Sequence, residues 1–163
     1  MRRGVVALVS MALMVASASV RAFCFDKAAE KYGVDPKLLV AIAQQESGLN
    51  PRAVNLNRNG TADYGLMQIN SENLASIGLS PAEVMEPCLN VHLGAWILAK
   101  FIKTHGPTWR AVGAYNAGSK PANETLRANY ASKVAQRLAR EQSKATLGSA
   151  ASTVGTTRGN VDQ

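Results

Sequence analysis

The apolar positions of this chain fall into two regimes. From Gly4 to Ala18 they run almost without interruption, and from Phe23 onward they recur every three or four residues between polar ones. The second regime is the mark of amphipathic helices. Phe23 to Tyr32 is a first helix candidate, with Gly33 as its C-terminal cap. Asp35-Pro36 opens a second, because Asp is a good N-cap and Pro fits the first helical position. In it Leu38, Leu39, Ile42 and Gln45 fall at helical spacing until Ser47-Gly48, and Asn50-Pro51 keeps it from continuing. Arg52 to Asp63 is polar and contains the tight-turn dipeptide Asn59-Gly60, so a small loop or irregular β-hairpin is expected there. Tyr64 to Asn70 is too short to assign by pattern.

The second half is helical throughout. Ser71 to Ile77 is a short helix capped by Gly78, and Ser80-Pro81-Ala82-Glu83 is a capping box with proline at the first helical position. Pro87 interrupts or restarts that helix. From Cys88 the positions Leu89, Leu93, Trp96, Ile97 and Phe101 form an apolar stripe, which predicts a long core helix ending at His105-Gly106-Pro107. Thr108 to Tyr115 is another short helix before the turn Asn116-Ala117-Gly118. Asn123 or Thr125 caps a last helix reaching about Gln142. From Ser143 the composition shifts to Ala, Ser, Thr and Gly, and a disordered tail over 143–163 is expected. The fold class is mainly α, with at most a small β element between the second and third helices.

The uninterrupted apolar run changes what the rest can be. Behind Met1-Arg2-Arg3 and before Val20-Arg21-Ala22, it has the three-part layout of a secretory signal peptide over residues 1–22. At about 15 residues it is shorter than the roughly 20 needed to span a bilayer. The alternatives are a retained anchor or a lipoprotein, though Cys24 lacks the usual leucine-rich context for lipidation. An exported, periplasmic domain over 23–142 is expected, and a monomer. The formal charge is +7, falling to +4 without Arg2, Arg3 and Arg21, and it is scattered. Nucleic-acid binding proteins instead gather their cations in a stripe or patch, so no nucleic-acid partner is expected. Two cysteines in an exported chain, Cys24 and Cys88, read as one disulfide. With only His92 and His105 beside them, no metal site and no cofactor is expected.

Two carboxylates carry the candidate chemistry. Glu46 lies near the end of the second helix on the face of Ile42, where burial would raise its pKa and keep it able to give up a proton near neutrality. Asp63 follows in a polar, turn-rich segment, suited to stabilising or attacking a cationic centre. Two acids in contrasting surroundings are what acid-assisted glycoside cleavage needs. Alone, Glu46 would pass for a surface residue at a helix end and Asp63 for a turn former. Gln68 and Asn70 alternate with Met67 and Ile69, so that in an extended segment one pair faces a cleft and the other the core. Met67 is then either a cleft residue or core filler. Tyr115-Asn116 precedes a glycine turn, as a pair able to orient Glu46 or a substrate, or as a buried tyrosine and a helix cap. Trp96 and Trp109 are candidates for sugar stacking, though Trp96 lies on the apolar stripe.

The set Glu46-Ser47, Gly65-Leu66-Met67-Gln68 and Ala114-Tyr115-Asn116-Ala117-Gly118 resembles, in order and spacing, the soluble lytic transglycosylases of the goose-lysozyme-like superfamily. The resemblance covers roughly Phe23 to Leu138. It implies a lysozyme-like α+β fold and peptidoglycan glycan strands as substrate. Glu46 would be the catalytic acid, with Ser47, Met67, Gln68, Asn70, Tyr115 and Asn116 at the substrate. Small size, the leader and the cysteine pair look most like the specialised members that accompany secretion, pilus and conjugation machines. One segment departs from the single-Glu pattern. Asn57 to Gly65 followed by Gln68-Ile69-Asn70-Ser71 resembles the active-site hairpin of chicken-type lysozymes, which implies an assisting role for Asp63. A muramidase that hydrolyses the same bond, or a non-catalytic wall-binding assembly factor, are the alternatives.

Overall fold

The computed structural model describes residues 24–155, excepting the side chains of 144–155. The expected signal peptide, Phe23 and residues 156–163 lie outside the described residues. Seven α-helices and one three-stranded sheet follow in the order α1 (Phe25–Tyr32), α2 (Pro36–Ser47), β1 (Val54–Leu56), β2 (Ala62–Tyr64), β3 (Ile69–Asn70), α3 (Ser71–Ile77), α4 (Pro81–Val84), α5 (Pro87–His105), α6 (Trp109–Ala117) and α7 (Glu124–Gly155). A 3-10 turn, Pro121–Asn123, leads into α7.

Helix α2 is the centre of the molecule. Five consecutive residues, Leu39 to Ala43, are buried, so the helix is covered on every side. Asp35 caps its first turn by accepting from the Lys37 amide at 2.7 Å, as its sequence predicts. Helices α5 and α7 close over it, α7 lies along α6, and α1 packs on α5. Cys24 and Cys88 form a disulfide that joins the start of α1 to the first turn of α5.

The apolar stripe foreseen for α5 is only half its story. Leu89, Leu93, Trp96, Ile97 and Phe101 are partly buried, while the fully buried face is Asn90, Val91, Gly94, Ala95 and Leu98. Small residues let the Gly65–Gln68 turn come close: a Cβ on Gly94 would meet the Met67 side chain at 2.7 Å. The stripe names the larger residues, but close packing is achieved where side chains are smallest.

The expected hairpin is a three-stranded antiparallel sheet in the order β1-β2-β3. Its register pairs Asn55 with Asp63 and Asp63 with Asn70, setting Asp63 between two asparagines in one cross-strand row. At the C-terminal end, α7 runs on to Gly155, past the Gln142 limit read from the sequence. Residues 143–155 are helical where a disordered tail is expected from composition. Ala145, Ala150 and Ala151 have the best intrinsic helix propensity, and they extend a helix already nucleated by packing.

Candidate active site

The last turn of α2, the sheet and the end of α6 enclose a cleft of about 890 Å³, lined among others by Glu46, Asp63, Gln68, Asn70, Tyr115 and Asn116. Six of the sequence-designated residues thus meet in one place.

Glu46 is positioned by helix α7. Three successive residues at the end of α2 are each tied to it: Gln44 donates to Glu141 at 2.8 Å, Arg137 donates to Gln45 at 2.9 Å, and the Tyr130 hydroxyl donates to Glu46 Oε1. Burial pushes the Glu46 carboxyl up to about 7, the Tyr130 hydrogen bond opposes that rise, and the Asp63 charge adds to it. Tyr130 holds its own proton far above the usual range, because it is buried beside Glu46. It therefore remains a donor to Oε1, which leaves Oε2 to carry the acidic proton of Glu46. A carboxylic acid still protonated near neutrality can serve as a general acid.

Asp63 is held differently. Asn57 Nδ2 donates to one carboxylate oxygen at 2.9 Å and Asn70 Nδ2 to the other at 2.7 Å. The same two amides converge on Thr61 Oγ1 at 3.0 Å each. Asn70 also accepts from the Glu72 amide at 2.9 Å, capping α3. Both acids line one cleft, one in an apolar setting and one in a cage of amides.

The amides of Asn70 and Gln68 are thereby spent within the protein. Gln68 accepts from Asn55 and donates to the carbonyls of Gly65 at 2.8 Å and Ala53 at 3.4 Å. Alternation holds, with Met67 and Ile69 buried and Gln68 and Asn70 facing the cleft. Met67 is therefore core, and its side chain does not line the site. Ser47 does not line it either: its hydroxyl bridges the carbonyls of Ala43 at 3.2 Å and Leu66 at 2.9 Å, tying α2 to the glycine turn. The Tyr115 hydroxyl donates to the Met67 carbonyl at 2.8 Å rather than to Glu46, and burial raises its pKa well above normal. Asn116 is exposed in the cleft with no hydrogen bond from its amide among the described residues. Neither Trp96 nor Trp109 lines the cleft; Trp96 lies under the Lys100 ammonium at 4.5 Å.

Two positioning residues escape the sequence reading. Tyr130 is one, and the available signal is its place on the α7 face shared with Val134 and Leu138 at four-residue intervals. Asn90 is the other. Fully buried, it donates to the carbonyls of Tyr64 at 2.8 Å and Val84 at 2.9 Å and accepts from the Met67 amide at 2.7 Å. It pegs the turn that starts at Gly65, which has φ +74° and where a Cβ would lie 2.4 Å from the Asn90 amide. Only glycine satisfies both the backbone and the space.

Comparison with known proteins agrees with this geometry. Residues 23–138 match the family model described as the Transglycosylase SLT domain. The chain is 47% identical over 124 residues to Protein IpgF of Shigella flexneri, covering 74% of this chain and 82% of that protein. It is 44% identical over 115 residues to Invasion protein IagB of Salmonella typhimurium strain LT2, covering 68% and 72% respectively. In fold it is similar to an inactive mutant of the lytic transglycosylase Slt from Pseudomonas aeruginosa, with a TM-score of 0.62 at 21% identity over 80% of this chain. It spans 25% of that protein's length. The chain belongs to the transglycosylase SLT domain family.

Proposed function

We propose that the chain is a peptidoglycan lytic transglycosylase that cleaves the β-1,4 bond between N-acetylmuramic acid and N-acetylglucosamine. The observation that carries this reading is Glu46, a cleft carboxyl pushed up to about 7 and fixed through Oε1 by Tyr130. Its proton passes from Oε2 to the glycosidic oxygen as the bond to the muramyl anomeric carbon breaks. Asp63, its oxygens held by Asn57 and Asn70, faces the positive charge that develops on that sugar. The muramyl 6-hydroxyl oxygen then bonds to the anomeric carbon and returns its proton to Glu46. The product is a 1,6-anhydromuramyl end, and no water is consumed. Asn116, whose amide is uncommitted, is suited to an acetamido group.

The Arg2-Arg3 leader and its apolar run support export to the periplasm with cleavage after Ala22. Similarity to a protein named for invasion supports service to a trans-envelope secretion, pilus or conjugation machine, opening the wall locally for it.

Zymography on embedded peptidoglycan tests the assignment. Glu46→Gln keeps the shape and removes the acid, so clearing falls about 10²–10⁴-fold. Asp63→Asn lowers it less. Equal clearing by Glu46→Gln and wild type would remove Glu46 from the reaction.

A further inference from the structure

Two cations of the cleft have no acid to answer them. Arg58 stands in the turn between β1 and β2, and Lys120 follows the Gly118 turn after α6; both line the cavity. Among the described residues the ion pairs join Glu124 to Arg110 and Arg127, and neither the Arg58 guanidinium nor the Lys120 ammonium has an ionic or hydrogen-bonding partner. The two candidate catalytic acids of the cleft are engaged elsewhere, Asp63 by two amides and Glu46 by Tyr130. Glu72, also in the lining, sits in the first turn of α3, where the helix dipole favours its charge.

Unpaired cations on two separate elements of a glycan cleft are placed to meet negative charge carried by the polymer. The N-acetyl sugars themselves are neutral. On a peptidoglycan strand the negative charges are carboxylates borne by the lactyl substituent of muramic acid. We infer that Arg58 and Lys120 bind these carboxylates, so that strands are selected by their charged substituent as well as by their sugars. This rests on the peptidoglycan reading above. The carboxylate has two sources: a stem peptide on an intact strand, or the lactyl group itself on a strand stripped of peptides. Arg58 offers a forked pair of donors to a carboxylate, whereas Lys120 offers a point charge.

The test measures initial rates of product release by wild type, Arg58→Gln, Lys120→Gln and the double variant. Three substrates are used: peptide-bearing strands, amidase-stripped strands, and peptide-bearing strands whose carboxylates have been converted to neutral amides. Exposed pairs contribute modestly, so on peptide-bearing strands each single change raises KM about threefold and the double change about tenfold, with kcat held. On amide-converted strands the wild-type KM rises to meet that of the double variant. A gap that persists on stripped strands assigns the contact to the lactyl carboxylate, and one that vanishes there assigns it to the stem peptide. Equal KM for wild type and double variant on peptide-bearing strands overturns the inference, as does an undiminished gap on amide-converted strands. A wild type that releases no product from any of the three overturns the peptidoglycan reading itself.

Discussion

Glu46 answers two opposing demands. It must hold a proton near neutral pH and yet release it readily. Burial supplies the first and the Tyr130 hydroxyl tempers it. The general acid must be protonated, so kcat/KM falls as pH rises through about 7, the value set for Glu46. Tyr130→Phe removes the contribution that lowers this pKa, so the alkaline limb of the profile moves to higher pH while kcat falls. A pH–rate profile of both proteins checks the sign; a limb that stays in place or moves to lower pH contradicts the role given to Tyr130. Glu46 was legible in the sequence because its helix start, spacing and stop all lie within 13 residues, from Asp35 to Ser47. Tyr130 was not, because it reaches Glu46 across 84 residues of chain, and only packing of α7 on α2 brings the two together.

At the scale of elements, the site is a helix end facing a sheet; Ser47 ties the helix end to the turn after β2, and Asn90 of α5 pegs that turn. Its amide serves Tyr64, Val84 and Met67, three backbone groups in the interior or at its edge. Asn90→Ala removes these three hydrogen bonds and opens a space beside Gly65. At about 1–3 kcal/mol for an unsatisfied buried group, a loss of about 3 kcal/mol in unfolding free energy is expected. Chemical denaturation measures it, and a loss below about 1 kcal/mol would show that the turn holds without its peg. The hairpin itself could be read from Asn59-Gly60, and a polar setting for Asp63 from the segment around it, but not the cage that Asn57 and Asn70 make. Which amides face the substrate could not. Alternation and the family resemblance both point Asn70 and Gln68 at the substrate, and neither says whether a neighbouring carbonyl or carboxylate has already claimed the amide. Met67 and Ser47 belong to the family motif for a structural reason, one filling the seat on Gly94 and the other tying α2 to the turn.

For the whole molecule, the Cys24–Cys88 bridge closes a loop of sequence separation 64 and holds α1 against α5, and neither cysteine lines the cleft. In the chain-entropy model a loop of that length contributes about 4 kcal/mol. Replacing both cysteines by alanine therefore lowers the denaturation midpoint strongly. At temperatures where the variant stays folded, its kcat is retained. Loss of kcat in a fully folded variant would mean that the bridge acts on the site and not on the unfolded chain. Such a bridge suits the proposed export, because disulfides persist in oxidising compartments. Beyond the bridge, the Tyr130 to Glu141 portion of α7 fixes α2, and the helix runs on to Gly155.

The account stands or falls on where Glu46 recovers its proton, from the muramyl 6-hydroxyl or from a water. Mass spectrometry of the soluble fragments released from purified peptidoglycan measures this directly. The mechanism predicts muramyl ends in the 1,6-anhydro form, lacking one water relative to reducing ends, and their disappearance with Glu46→Gln. Reducing muramic ends alone, with no anhydro species, would contradict it and make the same cleft that of a hydrolase.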